Sequence, residues 1–251
     1  MFDYINHKLF IMKKIVLLLL FIPLVSFGQT DKKNVFEASY LKARYGMDLS
    51  FEDAVKKHLK SFYNSDVYSY FGKVTHGHRA GEYLWIKGPM KMSFLDENNK
   101  KRKQDWKNNV LSKSEITGSN LYRNHPEYSS LSDSKSGSGK IAFVRGFKHK
   151  NQNTTFHILN RLKEMSDIAN GCNPYFIVTP IAKLEGEPDF YIVRHLSSMG
   201  EFDEDDMFDE KNCNVGEKFQ SEMSKEEREG ISKMWGENFE VVLSHFRIRI
   251  E

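Results

Sequence analysis

The sequence has two cysteines, six prolines and no apolar run of the length a membrane span requires. Two cysteines in 251 residues exclude a disulfide-dense miniprotein. A transmembrane helix needs about 20 consecutive apolar residues, so a multi-span membrane protein is excluded as well. Several enzyme signatures are also missing. There is no G-x-S-x-G elbow, no P-loop, no GxGxxG fingerprint and no H-E-x-x-H, which argues against a serine hydrolase, a P-loop NTPase, a dinucleotide enzyme and a zincin. Neither sign of charge dominates, with 37 Lys plus Arg against 34 Asp plus Glu. A nucleic-acid binder normally shows a strong basic excess or stripe, so no nucleic-acid partner is expected. The 39% of hydrophobic residues is enough for one or two globular domains.

The most apolar stretch, Ile15 to Val25, follows Lys13-Lys14 and precedes Ser26-Phe27-Gly28. A basic start, a short apolar core and small residues at the −3 and −1 positions of a cut after Gly28 are the three parts of a secretory signal peptide. Residues 1–28 are therefore expected to be removed, with Met12 the better start, and no stable membrane anchor is expected. No cysteine follows the cut, which argues against a lipid anchor. Cleavage would leave 223 of the 251 residues, and loss of Lys8, Lys13, Lys14 and Asp3 would take the net charge from +3 to +1. The expected location is periplasmic or secreted. An oxidising compartment permits a disulfide, and Cys172 and Cys213 are the only pair available. Closing that loop would restrict the unfolded chain by roughly 4 kcal/mol in the entropic model. Two separate buried thiols are the competing reading.

Residues 129–139 hold six serines and two glycines, too little apolar surface to offset ordering entropy, and are expected to be a flexible connector. It divides the rest into halves, residues 34–128 and 140–251. In the first half, Phe36 to Ala43 alternates as a strand. Ser50 reads as an N-cap for a helix to about Tyr63, with Phe51, Ala54, Val55, His58, Leu59 and Phe62 on one face. Val67 to Val74 and Glu82 to Lys87 read as a hairpin turning at Gly77 and Gly81, with Gly88-Pro89 ending its second strand. A helix around Gln104 to Leu111, preceded by the solvated basic run Lys100 to Lys103, and a strand around Glu115 to Arg123 complete the half. In the second half the expected elements are a strand from Ile141 to Lys148 and a helix from Thr154 to Ala169, its apolar face Phe156, Leu159, Leu162, Met165 and Ile168. A hairpin of Tyr175 to Leu184 with Phe190 to Leu196 follows. Next is a helix capped by Ser224 with Glu227 in capping-box position, and the chain ends in a strand from Glu240 to Ile250.

Both halves read strand, helix, hairpin, helix, strand, the ferredoxin-like βαββαβ unit. A local match supports duplication: Gly81-Glu82 leads into Tyr83-Leu84-Trp85-Ile86, and Gly186-Glu187 leads, two residues longer, into Phe190-Tyr191-Ile192-Val193. On this element order the chain resembles the dimeric α/β-barrel superfamily, which includes the NIPSNAP and antibiotic-biosynthesis monooxygenase families. The segment Gly81 to Pro89, with the Asp105-Trp106 that follows, resembles segments of uncharacterised exported bacterial proteins of this type. The resemblance implies an α+β fold in which two tandem ferredoxin-like repeats pair their sheets into one barrel, here within one chain. It also leaves a homodimer open. The fold hosts oxygenases, haem enzymes, lyases and proteins of no known activity, and no family active-site motif is present to be carried over.

Strand alternation sorts each hairpin into two faces. Tyr83, Trp85, Lys87, Phe190, Ile192 and Arg194 are expected to look into the barrel, joined by Tyr70, Arg145 and Arg247. Leu84, Ile86, Tyr191 and Val193 are expected to pack beneath helices. An aromatic wall with a few arginines suits an aromatic or anionic ligand, since apolar area supplies affinity and fixed cations supply orientation. Tyr70, Tyr83, Trp85, Arg145, Arg194 and Arg247 are thus the candidate ligand-binding residues, against the plainer reading of a filled core with arginines at its rim. His76 and His78 read as exposed turn histidines, and the seven acids between Glu201 and Glu210 as a solvated loop lacking the EF-hand glycine and final glutamate. No metal and no cofactor are expected. His195 and His245 remain the acid/base candidates. The leading expectation is small-ligand binding in the barrel. The alternatives are a cofactor-independent monooxygenase or isomerase-like enzyme and a protein-interaction module.

Overall fold

The computed structural model describes residues 33–63, 69–97, 99–130, 139–169, 174–202 and 221–250. The expected signal peptide, Cys172, Cys213, most of the serine-rich connector and most of the acidic run lie outside the described residues. Eight strands form one closed barrel in the order β1-β3-β2-β8-β5-β7-β6-β4, every neighbouring pair antiparallel. They are β1 (Val35–Ala43), β2 (Ser69–Gly77), β3 (Tyr83–Met90), β4 (Ser114–Asn124), β5 (Ile141–His149), β6 (Tyr175–Pro180), β7 (Phe190–Leu196) and β8 (Phe239–Arg249). Among the described residues four helices join them: α1 (Asp48–Phe62), α2 (Lys100–Asp105), α3 (Gln152–Ile168) and α4 (Lys225–Asn238).

Within each repeat the strand order is fourth-first-third-second, which is the ferredoxin-like order twice over. The repeats close on each other at two seams. One pairs β2 with β8 from Gly72↔Arg249 to Gly77↔His245, and the other pairs β4 with β6 from Tyr122↔Pro180 to Asn124↔Val178. Closure removes both sheet edges of both repeats, which an isolated four-stranded unit would leave open.

The helices lie outside the barrel, and the largest side chains sit between them and the sheet. Phe51, Ala54 and Val55 of α1 pack on Leu41, Phe71, Tyr83 and Trp85. Ile158, Leu159 and Leu162 of α3 pack on Phe147, Tyr175, Ile177, Phe190 and Ile192, with Trp235 of α4 closing one side. The buried stripe of α3 differs from the expected one at Phe156, which is exposed and stacks on Tyr128 at 5.5 Å.

Four local expectations are corrected. Helix α1 begins at Asp48, because Gly46 (φ 73°) turns the chain earlier; Ser50 lies inside the helix and donates its hydroxyl to the Met47 carbonyl. Helix α2 starts at Lys100, capped by Asn99, whose side chain accepts from the Arg102 N–H, so the basic run is helical. The helix runs on into a π-helical turn from Trp106 to Val110. Strand β3 does not stop at Gly88-Pro89. Gly88 (φ 132°) lies so close to the Val35 carbonyl that a Cβ would stand 2.5 Å from it, and a register shift there lets Met90 pair with Val35. Finally, Ser129 and Ser130 are packed: Ser129 accepts from the Ile177 N–H, and Ser130 pairs with Tyr175. Among the described residues no helix is long and apolar enough to cross a membrane.

Candidate functional site

The barrel interior holds a cavity of about 440 Å³ that is partly open to solvent. Its wall takes alternate residues from the strands: Phe36, Ala38 and Tyr40 of β1, Tyr70 of β2, Leu84 and Ile86 of β3, and Tyr122 and Asn124 of β4. From the second repeat come Val144, Phe176, Val178, Tyr191, Val193, His195 and Arg247. The inward positions differ widely in size. Ala38 and Ala142 face in from β1 and β5, the central strands of their repeats, and Gly146 allows Pro188 of the β6–β7 loop to fold over the sheet.

The expected inward and outward faces are therefore reversed for the hairpins. Alternation sorted the side chains into the correct sets, but the set rich in aromatic rings is the outer one. Tyr83 reaches out to α1, where its hydroxyl stands 2.9 Å from an Asp48 oxygen and 2.8 Å from a Glu52 oxygen. Trp85 lies 4.3 Å, centroid to centroid, from Trp106 and donates its indole N–H to Ser69. Arg145 is exposed above Phe143, and Arg194 has the outward parity of Phe190 and Ile192. The rings of Trp85, Tyr83 and Phe190 fill the wedge between sheet and helices, while the interior has its own rings from other strands, Phe36, Tyr40, Tyr70, Tyr122 and Phe176. Of the six candidate ligand-binding residues, Tyr70 and Arg247 line the cavity, and the other four do not. Sequence reasoning missed Tyr40, Tyr122, Asn124 and Tyr191. Their signal in the sequence was parity alone: Tyr40 alternates with Phe36 and Ala38, and Tyr191 with Val193.

Arg247 is the most unusual group in the wall. It is 6% exposed and makes no ion pair or hydrogen bond among the described residues. Its guanidinium stands over the Tyr70 ring, 5.2 Å from the centroid. Cation–π attraction offsets part of the cost of burial, but a guanidinium has five N–H donors and keeps its charge. The strand register puts Ala142 beside Arg247, and His195 beside Ala142 on the far side. His195 packs edge-on against Phe176, and its buried Nδ1 has no hydrogen-bond partner among the described residues. Burial first, then the charges of Arg247 and Arg249, lower its pKa to about 4. His245, two residues before Arg247, is buried with both ring nitrogens unpartnered, and burial and Arg247 lower its pKa to about 3. Both imidazoles are neutral at ordinary pH.

A second polar cluster sits on the β6–β7 loop. One Glu187 oxygen accepts from Tyr122 at 3.2 Å and Tyr191 at 3.3 Å, and the carboxylate also accepts from Asn120 and from the Leu184 N–H. Burial is the leading cause that raises the pKa of Tyr40, Tyr122 and Tyr191, so all three stay protonated phenols. Arg79 stacks over Tyr40 at 4.4 Å and pairs with Glu82 at 2.9 Å. Among the described residues no three His, Cys, Asp or Glu side chains stand together as a metal site. His76 and His78 are exposed as expected, but only His78 lies in the turn; His76 is in β2, paired with Phe246.

The sequence matches no family model and no curated protein. Solved structures of similar shape do exist. A candidate monooxygenase from Fusobacterium nucleatum aligns with TM-score 0.53 at 8% identity, over 87% of this chain and 93% of that one. One from Lactobacillus acidophilus aligns with TM-score 0.51 at 12% identity, over 88% and 100%. A candidate chlorite dismutase aligns with TM-score 0.50 at 9% identity, over 87% and 95%. At these identities the likeness is one of fold: this chain has the dimeric α+β barrel architecture.

Proposed function

We propose that the protein binds a small ligand of aromatic or anionic character inside its barrel. The observation that carries this reading is Arg247, a buried cation without a carboxylate partner among the described residues, in a cavity whose wall is otherwise aliphatic and aromatic but for Asn124 and His195. A cavity of 300–1,000 Å³ with a few polar groups in an apolar wall is the usual form of a small-molecule site, and about 440 Å³ falls within it. Native mass spectrometry of the protein purified from its source cells tests the reading. A co-purifying small molecule that is displaced on denaturation supports it. A protein that carries nothing, and that takes up no aromatic or anionic compound from a library, refutes it.

A monooxygenase or isomerase-like activity is the second reading, favoured by the fold shared with candidate monooxygenases. In it His195, neutral and beside the cavity, would take the proton from a bound substrate. Oxygen uptake with aromatic substrates, abolished by His195→Gln, would support it. The interaction-module alternative required an open aromatic sheet face, and the barrel is closed. Export with cleavage after Gly28, a Cys172–Cys213 disulfide and a homodimer belong to the same proposal. N-terminal sequencing, thiol alkylation before and after reduction, and light scattering test them in turn.

A further inference from the structure

Resting on the ligand-binding reading above, we infer that the lumen takes a monocarboxylic acid, its carboxylate held between Arg247 and His195 across Ala142. The strand register carries the placement. Arg247 pairs with Ala142, and Ala142 with His195, so the three stand in one row on the inner face. Adjacent strands lie about 4.8 Å apart, which puts the two outer backbones about 10 Å from each other. Ala142 between them is itself covered, and Arg247 and His195 both line the cavity, so a ligand in it can reach both side chains. Arg247 offers a planar fork of N–H donors, and His195 a neutral ring whose Nδ1 is buried without a partner.

Charge selects the class of ligand. One guanidinium matches one negative charge, and both the cation and the ring face a wall that is mainly apolar. A phosphate dianion would bring a second charge with no cation to meet it in that wall, at a large desolvation cost. Arg249 is half-buried and engaged elsewhere, 5.9 Å from the Tyr70 ring. A carboxylate is planar and accepts two parallel N–H bonds from the fork, and its second oxygen has a lone pair for an imidazole N–H. The rest of the molecule would lie against Phe36, Ile86, Phe176 and Val178, so its body is apolar.

Isothermal titration of the whole protein with 4-phenylbutanoate and with 4-phenylbutan-1-ol tests this, because the two probes share a body and differ in the head group. The wild type is expected to bind the acid roughly tenfold or more tightly than the alcohol, as a charge-assisted hydrogen bond implies. In Arg247→Met that ratio is expected to collapse to about 1. In Arg247→Lys, which keeps the charge and loses the fork, it is expected to fall by about threefold or more. The imidazole nitrogen signals of His195 should move on addition of the acid and not of the alcohol. Equal affinity for both probes, or a ratio that both variants leave unchanged, overturns the carboxylate site while leaving the lumen a binding site. If neither probe binds the wild type, this inference fails, and the ligand-binding reading is then decided by the native mass spectrometry and the library.

Discussion

Gly146 lies directly beneath Pro188: a Cβ at position 146 would stand 2.5 Å from the Pro188 Cγ and 3.2 Å from Tyr191 Cε1. The proline ring cannot rotate away, so Gly146→Ala should push the β6–β7 loop off the barrel. An overpacked site of this kind costs about 1–3 kcal/mol. Urea unfolding should show a lower midpoint, and wild-type stability in this variant would mean that the loop is not seated as described.

Arg247→Met should act in the opposite direction. Burying an unpaired cation is costly, and replacing buried charge by an apolar side chain of similar volume is often neutral or stabilising by about 1–4 kcal/mol. Thermal unfolding of the ligand-free variant should therefore occur at or above the wild-type temperature, while the preference for anions disappears. A strongly destabilised variant would show that Arg247 serves the fold instead.

Glu187 accepts from Asn120, Tyr122, Tyr191 and the Leu184 N–H, so Glu187→Leu would leave several donors unmet. Each buried donor left unsatisfied costs about 1–3 kcal/mol. Glu187→Gln keeps a carbonyl acceptor and should lose clearly less. Equal losses in the two variants would contradict the hydrogen-bonding role.

Acid should destabilise the protein in two stages. The fold lowers the pKa of His195 to about 4 and of His245 to about 3, and it lowers that of His58 through burial. The unfolded chain takes up these protons near pH 6.5, and the folded chain resists them. Their contribution is thus complete above pH 6.5 and is lost as pH falls toward 4 and 3, by up to about 1.4 kcal/mol per pH unit and group. Asp105, lowered by its hydrogen bond to His58, and Asp48, lowered by its hydrogen bonds to Tyr83 and Lys73, add a loss only below about pH 4. Urea midpoints at pH 7.5, 6.0 and 5.0 isolate the histidines, and His245→Gln should flatten that part of the profile.

Much of the architecture could be read from the sequence because it is local. Ser224 and Glu227 form the expected capping box, with the Glu227 N–H donating to Ser224 Oγ at 3.2 Å and the Ser224 N–H donating to Glu227 at 2.8 Å. Gly81 and Gly186, matched in the two repeats, both take the left-handed conformation ahead of Glu82 and Glu187, in line with duplication. The seams between β2 and β8 and between β4 and β6 join segments far apart in sequence, and alternation says nothing about such partners. Alternation also yields two faces without saying which is inside. Trp85 and Tyr83 looked like pocket residues for their chemistry, yet they pack under the helix layer, and the opposite set, Leu84, Ile86, Tyr191 and Val193, lines the pocket.

Isotope-edited NMR with 4-phenylbutanoate bound tests the lumen site most directly, since inward and outward methyl groups alternate along the same strands. Contacts from the ligand to the methyls of Ile86, Val144, Val178 and Val193, with none to Ile177 or Ile192, are the predicted result. Contacts to Ile177 and Ile192 with none to the inward set would contradict it, since the ligand would then sit beneath the helices and outside the barrel.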